Sequence, residues 1–372
     1  MGATGLGRLF AAYAAATQFY RAQLVRSEGP ANYLRHRGLG VLVDRDEPWH
    51  VGFAPHTWTG LSDQLRRRGF TSTELLAAGL VRTSSRGRTV DMFHDRIVFP
   101  IADLLGHPIA FIGRIWPGGG PAAPKYLNSP DTAIYTKGQH LFGLHQQRDR
   151  VAAGWAPVLV EGPTDAVAVW LAYPRMGWDG LVAAAPCGTT VTPDQVRTLV
   201  AVPGARRGVT VAFDGDDAGR NGADRAFHLL AAHPSVAVRG AELPPGSDPG
   251  DLLRLPDGSA RLRQVLRRRT RPMLHLLLRH RLDQTLCRFP RMLHEVEGRV
   301  ALARGLAPLI AEQRPDLAVA AIYQLTSYAR TRTGGRDAGR LAGELLISLT
   351  LAVAEHLETT PASPAGEPEA VP

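Results

Sequence analysis

Between residues 157 and 255 short apolar runs alternate with stretches of helical periodicity, and no other feature constrains the fold as strongly. Val158-Leu159-Val160, Leu181-Val182-Ala183-Ala184, Val209-Thr210-Val211-Ala212-Phe213 and Val236-Ala237-Val238 read as strands, with helices over 164–172, 193–200 and 217–232. Strands that alternate with helices at this spacing build a mainly parallel sheet with helices on both faces. The fold class is α/β. This sheet is preceded by a mixed α+β part rich in basic residues, and followed by Arg-rich helices over 259–330 with one more at 338–357.

Acidic residues stand where three of these strands end. Glu161 follows the first, with Asp165 one turn into the next helix; Asp214-Gly215-Asp216-Asp217 follows the third; Asp248-Pro249-Gly250-Asp251 follows the fourth after a loop. Ligands of open α/β sheets bind beyond the carboxyl ends of the strands, so these carboxylates belong on one rim. Clustered carboxylates repel one another unless a cation neutralises them, and oxygen donors without Cys or His favour Mg²⁺ or Mn²⁺ over zinc. Two such ions about 4 Å apart activate an attacking 3′-oxygen and stabilise a leaving pyrophosphate. Singly each piece is ordinary: Asp-Gly-Asp makes turns, and an acid often opens a helix. Their order, each at a strand end, carries the weight.

The charge balance names the class of substrate. Lys and Arg number 43 against 34 acids, a formal +9, which suits a polyanionic partner. All but two of the basic residues are Arg; the lysines are Lys125 and Lys137. No GK[ST] string occurs, which excludes a P-loop ATPase, and the Gly118-Gly119-Gly120-Pro121 stretch is a plain loop. Cys187 and Cys287 form no CxxC pair, so neither a four-cysteine zinc site nor a disulfide framework is expected. The apolar run at 9–16 continues with helical spacing through Gln18, Arg21 and Gln23 and reads as an amphipathic helix, not a secretory signal; a cytoplasmic location without membrane contact is expected.

Val160-Glu161-Gly162-Pro163-Thr164-Asp165, Phe213-Asp214-Gly215-Asp216-Asp217-Ala218-Gly219-Arg220 and Asp248-Pro249-Gly250-Asp251 resemble the metal-binding motifs of the Toprim fold, in the variant found in bacterial DNA primases of the DnaG type. Upstream, Arg96-Ile97-Val98-Phe99-Pro100-Ile101, Phe111-Ile112-Gly113-Arg114, Pro124-Lys125-Tyr126-Leu127-Asn128-Ser129-Pro130 and Lys137-Gly138 look like that family's basic N-terminal subdomain. The resemblance implies four segments: a basic α+β subdomain over 1–155, a Toprim domain over 156–256, a helical subdomain over 257–334, and an extra helix with a disordered Pro/Ala/Glu tail over 335–372. It implies that Glu161, Asp214 and Asp216 are catalytic and bind metal, helped by Asp248 and Asp251. It also implies that Arg96, Arg114, Lys125, Asn128 and Lys137 bind nucleotide or nucleic acid.

Some positions depart from the family pattern. Gly250 stands where a further Asp is usual, with Asp251 the nearest substitute, and Pro163 replaces an aromatic. The family's N-terminal zinc ribbon and full C-terminal helicase-binding module are not expected. The leading expectation is a DNA primase core that makes short RNA primers from NTPs on a single-stranded DNA template. A Toprim nuclease, a topoisomerase and a weakly active or non-catalytic nucleic-acid-binding protein are the other readings. A replicative helicase or a zinc-module protein acting in trans is the expected further partner, with the 338–357 helix either docking it or packing on the helical part.

Overall fold

The computed structural model describes residues 3–45, 47–117, 124–174, 180–188 and 190–360; the Gly118–Pro121 loop and the tail beyond 360 lie outside these residues. The chain forms two compact units, 1–270 and 271–372. The first opens with helices α1 (Ala3–Arg26), α2 (Glu28–His36) and α3 (Val41–Asp44), strand β1 (Gly52–Ala54), and helices α4 (Gly60–Arg67) and α5 (Ser72–Ala77). A hairpin of β2 (Val81–Thr83) and β3 (Thr89–Asp91) follows, then β4 (Arg96–Ala102), β5 (Pro108–Ile115) and β6 (Tyr126–Asn128).

Local sequence explains the punctuation of this part. Thr71 and Glu74 form a reciprocal capping box that starts α5. Gly38, Gly69 and Gly79 take positive φ where α2, α4 and α5 end. Strands β1, β4, β5 and β6 form an antiparallel sheet in the order β1-β4-β5-β6. Helix α1 packs across β1 and β5, burying Leu9, Tyr13, Ala16 and Tyr20 against Val98 and Phe111. A Cβ on Gly52 would stand 2.5 Å from the Tyr20 backbone, so only glycine permits this approach.

Five strands of the six-stranded second sheet are β7 (Leu141–Phe142), β8 (Ala156–Val160), β9 (Leu181–Pro186), β10 (Val209–Ala212) and β11 (Val238–Ala241), in the order β11-β10-β8-β9-β7. All pairings among β8, β9, β10 and β11 are parallel; β7 is an antiparallel edge beside β9. Helices α6 (Arg148–Ala152), α7 (Pro163–Ala172), α8 (Pro193–Val200), α9 (Asp217–Ala231), α10 (Pro249–Leu253) and α11 (Gly258–Arg268) are threaded between and after the strands. Every residue of β8, β9 and β10 is buried, as expected of strands covered on both faces. The fourth strand begins two residues later than its apolar run suggests, because the Val236 N–H donates to the His233 carbonyl and stays in the turn. The short strands β6 and β7 carried too little periodicity to be read in advance.

The two sheets share one core. Trp49 is fully buried, its ring 5.3 Å from Phe142 and 5.9 Å from Trp170, while Phe99 of β4 meets Phe142 at 6.0 Å. Helix α11 buries Leu262, Val265 and Leu266 in this same core and packs on α7, so its partners lie in the first unit.

The second unit comprises α12 (Met273–Arg288), α13 (Val296–Ala311), α14 (Pro315–Thr333) and α15 (Ala338–Thr359). Helix α15 packs on α13 and α14 with Leu341, Leu345, Leu349 and Val353 buried. Its main apolar stripe is therefore used inside the unit.

Arg150 anchors the C-terminus of α7, whose other end carries the acidic rim. Its guanidinium donates to the carbonyls of Trp170 (3.1 Å) and Tyr173 (2.8 Å) and lies 4.8 Å from the Trp155 ring centre. A cation satisfying the last carbonyls of a helix suits both hydrogen bonding and the helix dipole. Arg150→Met is expected to lower the unfolding free energy of the first unit by about 2 kcal/mol, since it removes two hydrogen bonds from a charged donor to the end of α7; urea denaturation checks this.

Candidate active site

In the parallel pairing of β8 with β10, Leu159 faces Val211 and Val160 faces Ala212. The two strands therefore end at the same level, and Glu161 and Asp214 emerge side by side. The Glu161 carboxylate Oε1 accepts the Asp214 N–H at 2.9 Å, tying the two strand ends together. Glycine makes this closeness possible. A Cβ on Gly219 would sit 2.2 Å from the Asp214 carbonyl oxygen and 2.7 Å from Glu161 Oε1.

Helix caps hold the other acids. Asp216 is the N-cap of α9, its Oδ1 accepting the Gly219 N–H at 2.8 Å. Asp165 lies in the first turn of α7 and accepts the Gly162 N–H at 3.1 Å through Oδ2. The 214–217 turn is laced to the loop before Asp248: Gly215 N–H donates to the Ser247 carbonyl and Gly246 N–H to the Gly215 carbonyl. This brings Asp248, the N-cap of α10, to the rim.

The carboxylates feel one another. Burial first, and then the charges of Glu161 and Asp248, push Asp214 up to about 7, with Lys125 opposing. Burial, and behind it Asp248 and Asp214, holds Asp165 well above the usual carboxylate range. Glu161 is raised by burial and by Asp216 and Asp248, again against Lys125. The buried oxygens Asp214 Oδ1 and Asp165 Oδ1 have no hydrogen-bond partner. Among the described residues no three Asp, Glu, His or Cys side chains are gathered closely enough to hold a metal ion by themselves. The rim is an open set of hard oxygen donors, which suits an ion that keeps most of its water.

Facing the rim is a basic wall. Arg114 of β5 opposes Tyr126 of β6, and Ile112 opposes Asn128; by the two-residue period of strands these four side chains share one face. They line a cavity of about 790 Å³ together with Lys125, Lys137, Glu161, Asp165, Asp214 and Asp248. Arg114 is buried and held by the hydroxyls of Tyr33, Tyr126 and Thr164. Lys125 is exposed, 5.8 Å from the Tyr126 ring centre. Asn128 Oδ1 is buried without a partner. Lys137 lies over Gly188, where a Cβ would stand 2.9 Å from its Cε.

Three of the expected residues do not line this cavity. Arg96 is buried in β4 and donates to the Gly113 carbonyl at 3.0 Å, a bond within its own sheet. Asp251 closes the α10 capping box by accepting the Asp248 N–H at 3.3 Å, and its other oxygen pairs with Arg254 at 2.9 Å. Its side chain is committed to the helix start. Asp216 stands at the rim beside the cavity and does not line it. Conversely, two cavity-side arginines escaped the sequence reading. Ala218, Gly222 and Arg225 lie on α9 at i, i+4 and i+7, one face turned to the cavity. Arg37, at the end of α2, reaches Asp248. The helical spacing was a signal for Arg225; Arg37 had none.

A family profile described as the N-terminal domain of the DNA primase catalytic core matches residues 19–148, and a Toprim-like profile matches 158–253. The RNA polymerase domain of Mycobacterium tuberculosis primase DnaG superposes with a TM-score of 0.70 at 33% identity, over 86% of this chain and 98% of that one. The chain belongs to the DnaG primase catalytic-core family. A DnaG primase catalytic domain solved with single-stranded DNA is similar over 91% of this chain and all of that one, with a TM-score of 0.65 at 29% identity. The DNA primase of Mycolicibacterium smegmatis is 37% identical over 314 residues, which are 82% of this chain and 46% of that protein. The chain thus spans about half the length of the curated primases it matches. Among the described residues no helix is long and apolar enough to cross a membrane.

Gly219→Ala is expected to cost about 1–3 kcal/mol, because its methyl group meets backbone at 2.2 Å. Gly7→Ala in α1, with nothing within 4 Å, is expected to gain up to about 1 kcal/mol. Parallel denaturant titrations of the two variants check both signs.

Proposed function

We propose that this chain is a primase polymerase core, which joins NTPs into short RNA primers on a single-stranded DNA template by divalent-cation-dependent nucleotidyl transfer. The observation that carries the reading is the cavity itself, with an acidic rim on one side and a basic, hydrogen-bonding wall on the other. Phosphoryl transfer asks the protein for positioning and charge stabilisation more than for covalent chemistry, and these two walls supply both.

Glu161, Asp214 and Asp216 are the proposed catalytic and metal-holding residues, with Asp248 and Asp165 behind them. Their partnerless oxygens and all-oxygen chemistry favour Mg²⁺ or Mn²⁺ over zinc. Such an ion, when bound, lowers the pKa of the attacking 3′-hydroxyl and neutralises charge on the leaving pyrophosphate. Lys125, Lys137 and Arg225 are placed to meet phosphates. Asn128 has a free acceptor for a sugar hydroxyl or base edge. Arg114, locked by three hydroxyls, braces the wall and contributes fixed positive charge. The basic subdomain over 1–155 would hold template and nucleotide, and the Toprim part over 156–256 would hold the ion. A cytoplasmic location follows from this role, and a helicase or zinc-module protein in trans would improve template selection.

Asp214→Asn or Asp216→Asn is expected to abolish primer synthesis from labelled NTPs while single-stranded DNA binding stays within a few-fold. Degraded DNA in the same assay would point to a nuclease, and binding without either product to a non-catalytic protein. Near-normal synthesis by both variants would remove these residues from the chemistry.

Lys125→Ala is expected to reduce the slope of log affinity against log salt for single-stranded DNA by about 0.7, the loss of one phosphate contact. Fluorescence anisotropy at four or more salt concentrations measures it.

A further inference from the structure

The acidic rim has two ends, and one of them already holds a cation. Arg37 follows the last residue of α2, and its Nη2 stands 3.4 Å from Asp248 Oδ2. Both side chains are largely buried, at 14% and 16% exposure, and Arg37 Nε has no partner of its own. The groups meet around the bare Cα of Gly250: a Cβ there would lie 3.1 Å from Asp248 Oδ1, 3.3 Å from Arg37 Nη2 and 3.8 Å from Asp165 Oδ1. Asp165 is buried, and this Oδ1 is the one that accepts no hydrogen bond.

A guanidinium is always charged and offers only donors, so it competes for the same carboxylate lone pairs that a divalent ion needs. An ion bound between Asp165 and Asp248 would lie within a few ångströms of that fixed charge in a half-buried site, where like charges repel strongly. At the other end of the rim, by Glu161, Asp214 and Asp216, the neighbouring arginine is Arg220, whose guanidinium is committed to the Gly215 carbonyl at 3.0 Å and to Asp217 at 2.6 Å. The cation whose charge acts on Glu161 and Asp214 is the exposed ammonium of Lys125, on a flexible stem that can swing away.

We propose that Arg37 is the resident counter-cation of the Asp165–Asp248 end, so that a divalent ion loads in the absence of nucleotide only at the Glu161–Asp214–Asp216 end. Gly250 eases this approach, since a Cβ there would crowd both the guanidinium and the Asp248 carboxylate by a few tenths of an ångström. The inference rests on reading the rim as a divalent-cation site.

Direct Mn²⁺ titration of the full chain without nucleotide, following free Mn²⁺ by electron paramagnetic resonance, tests it. The wild type should hold one tight equivalent. Arg37→Met keeps the stem and removes the charge; it should add a second equivalent, tightened about tenfold or more relative to any second binding in the wild type. Asp248→Asn should leave the wild-type equivalent in place, whereas Asp214→Asn should remove it. Two tight equivalents in the wild type, or unchanged stoichiometry in Arg37→Met, would overturn the role of Arg37 while leaving the rim a metal site. No bound Mn²⁺ in the wild type would overturn the metal site and the inference together. Should Arg37→Met fail to fold by circular dichroism, the Asp248→Asn comparison decides alone: loss of the tight equivalent there overturns the proposal.

Discussion

The in-register parallel pairing of β8 with β10 is the constraint on which the site depends. Because Val160 lies opposite Ala212, Glu161 and Asp214 leave the sheet at one level, and the side chain of the first can hold the backbone of the second. A slip of one residue would turn each carboxylate to the other face of the sheet. The burial of every residue in these strands penalises such a slip heavily. The 214–217 turn, fixed by that bond, then fixes the loop that delivers Asp248. The acidic rim is in this sense a consequence of strand register.

The opposite wall is set by a different sheet, and the shared core makes one cavity of the two. Trp49 between Phe142 and Trp170 couples the antiparallel sheet to the parallel one through rigid aromatic packing. The result juxtaposes partly buried carboxylates, some held above their usual range by burial and mutual repulsion, with lysines and a braced arginine. A substrate that is itself a polyanion carrying cations satisfies both walls at once, which neither a neutral ligand nor a simple anion does.

Several elements were legible because their determinants are local. The strands at 158–160, 181–184 and 209–212 are continuous apolar runs, the helix at 193–200 has its cap and proline in sequence, and the capping box at Thr71 specifies a helix start within four residues. The reading missed β7, where two residues pair only because β9 is there to receive them. It also assigned Arg96 and Asp251 by their motif neighbourhood, whereas each side chain is claimed by a nearby backbone or cap. Helix α11, written with the helical part on composition, takes its packing partners from α7 and the shared core.

The sequence alone determined that the chain carries an α/β sheet with Glu161, Asp214, Asp216 and Asp248 at strand and helix ends, since strand periodicity and capping chemistry act over a few residues. Only the tertiary structure decided which carboxylates share a field, which basic residues face them, and that Arg37 meets Asp248 across 211 residues of chain. Such pairings depend on how separate elements pack, and side-chain packing between distant segments leaves no periodic trace in either one.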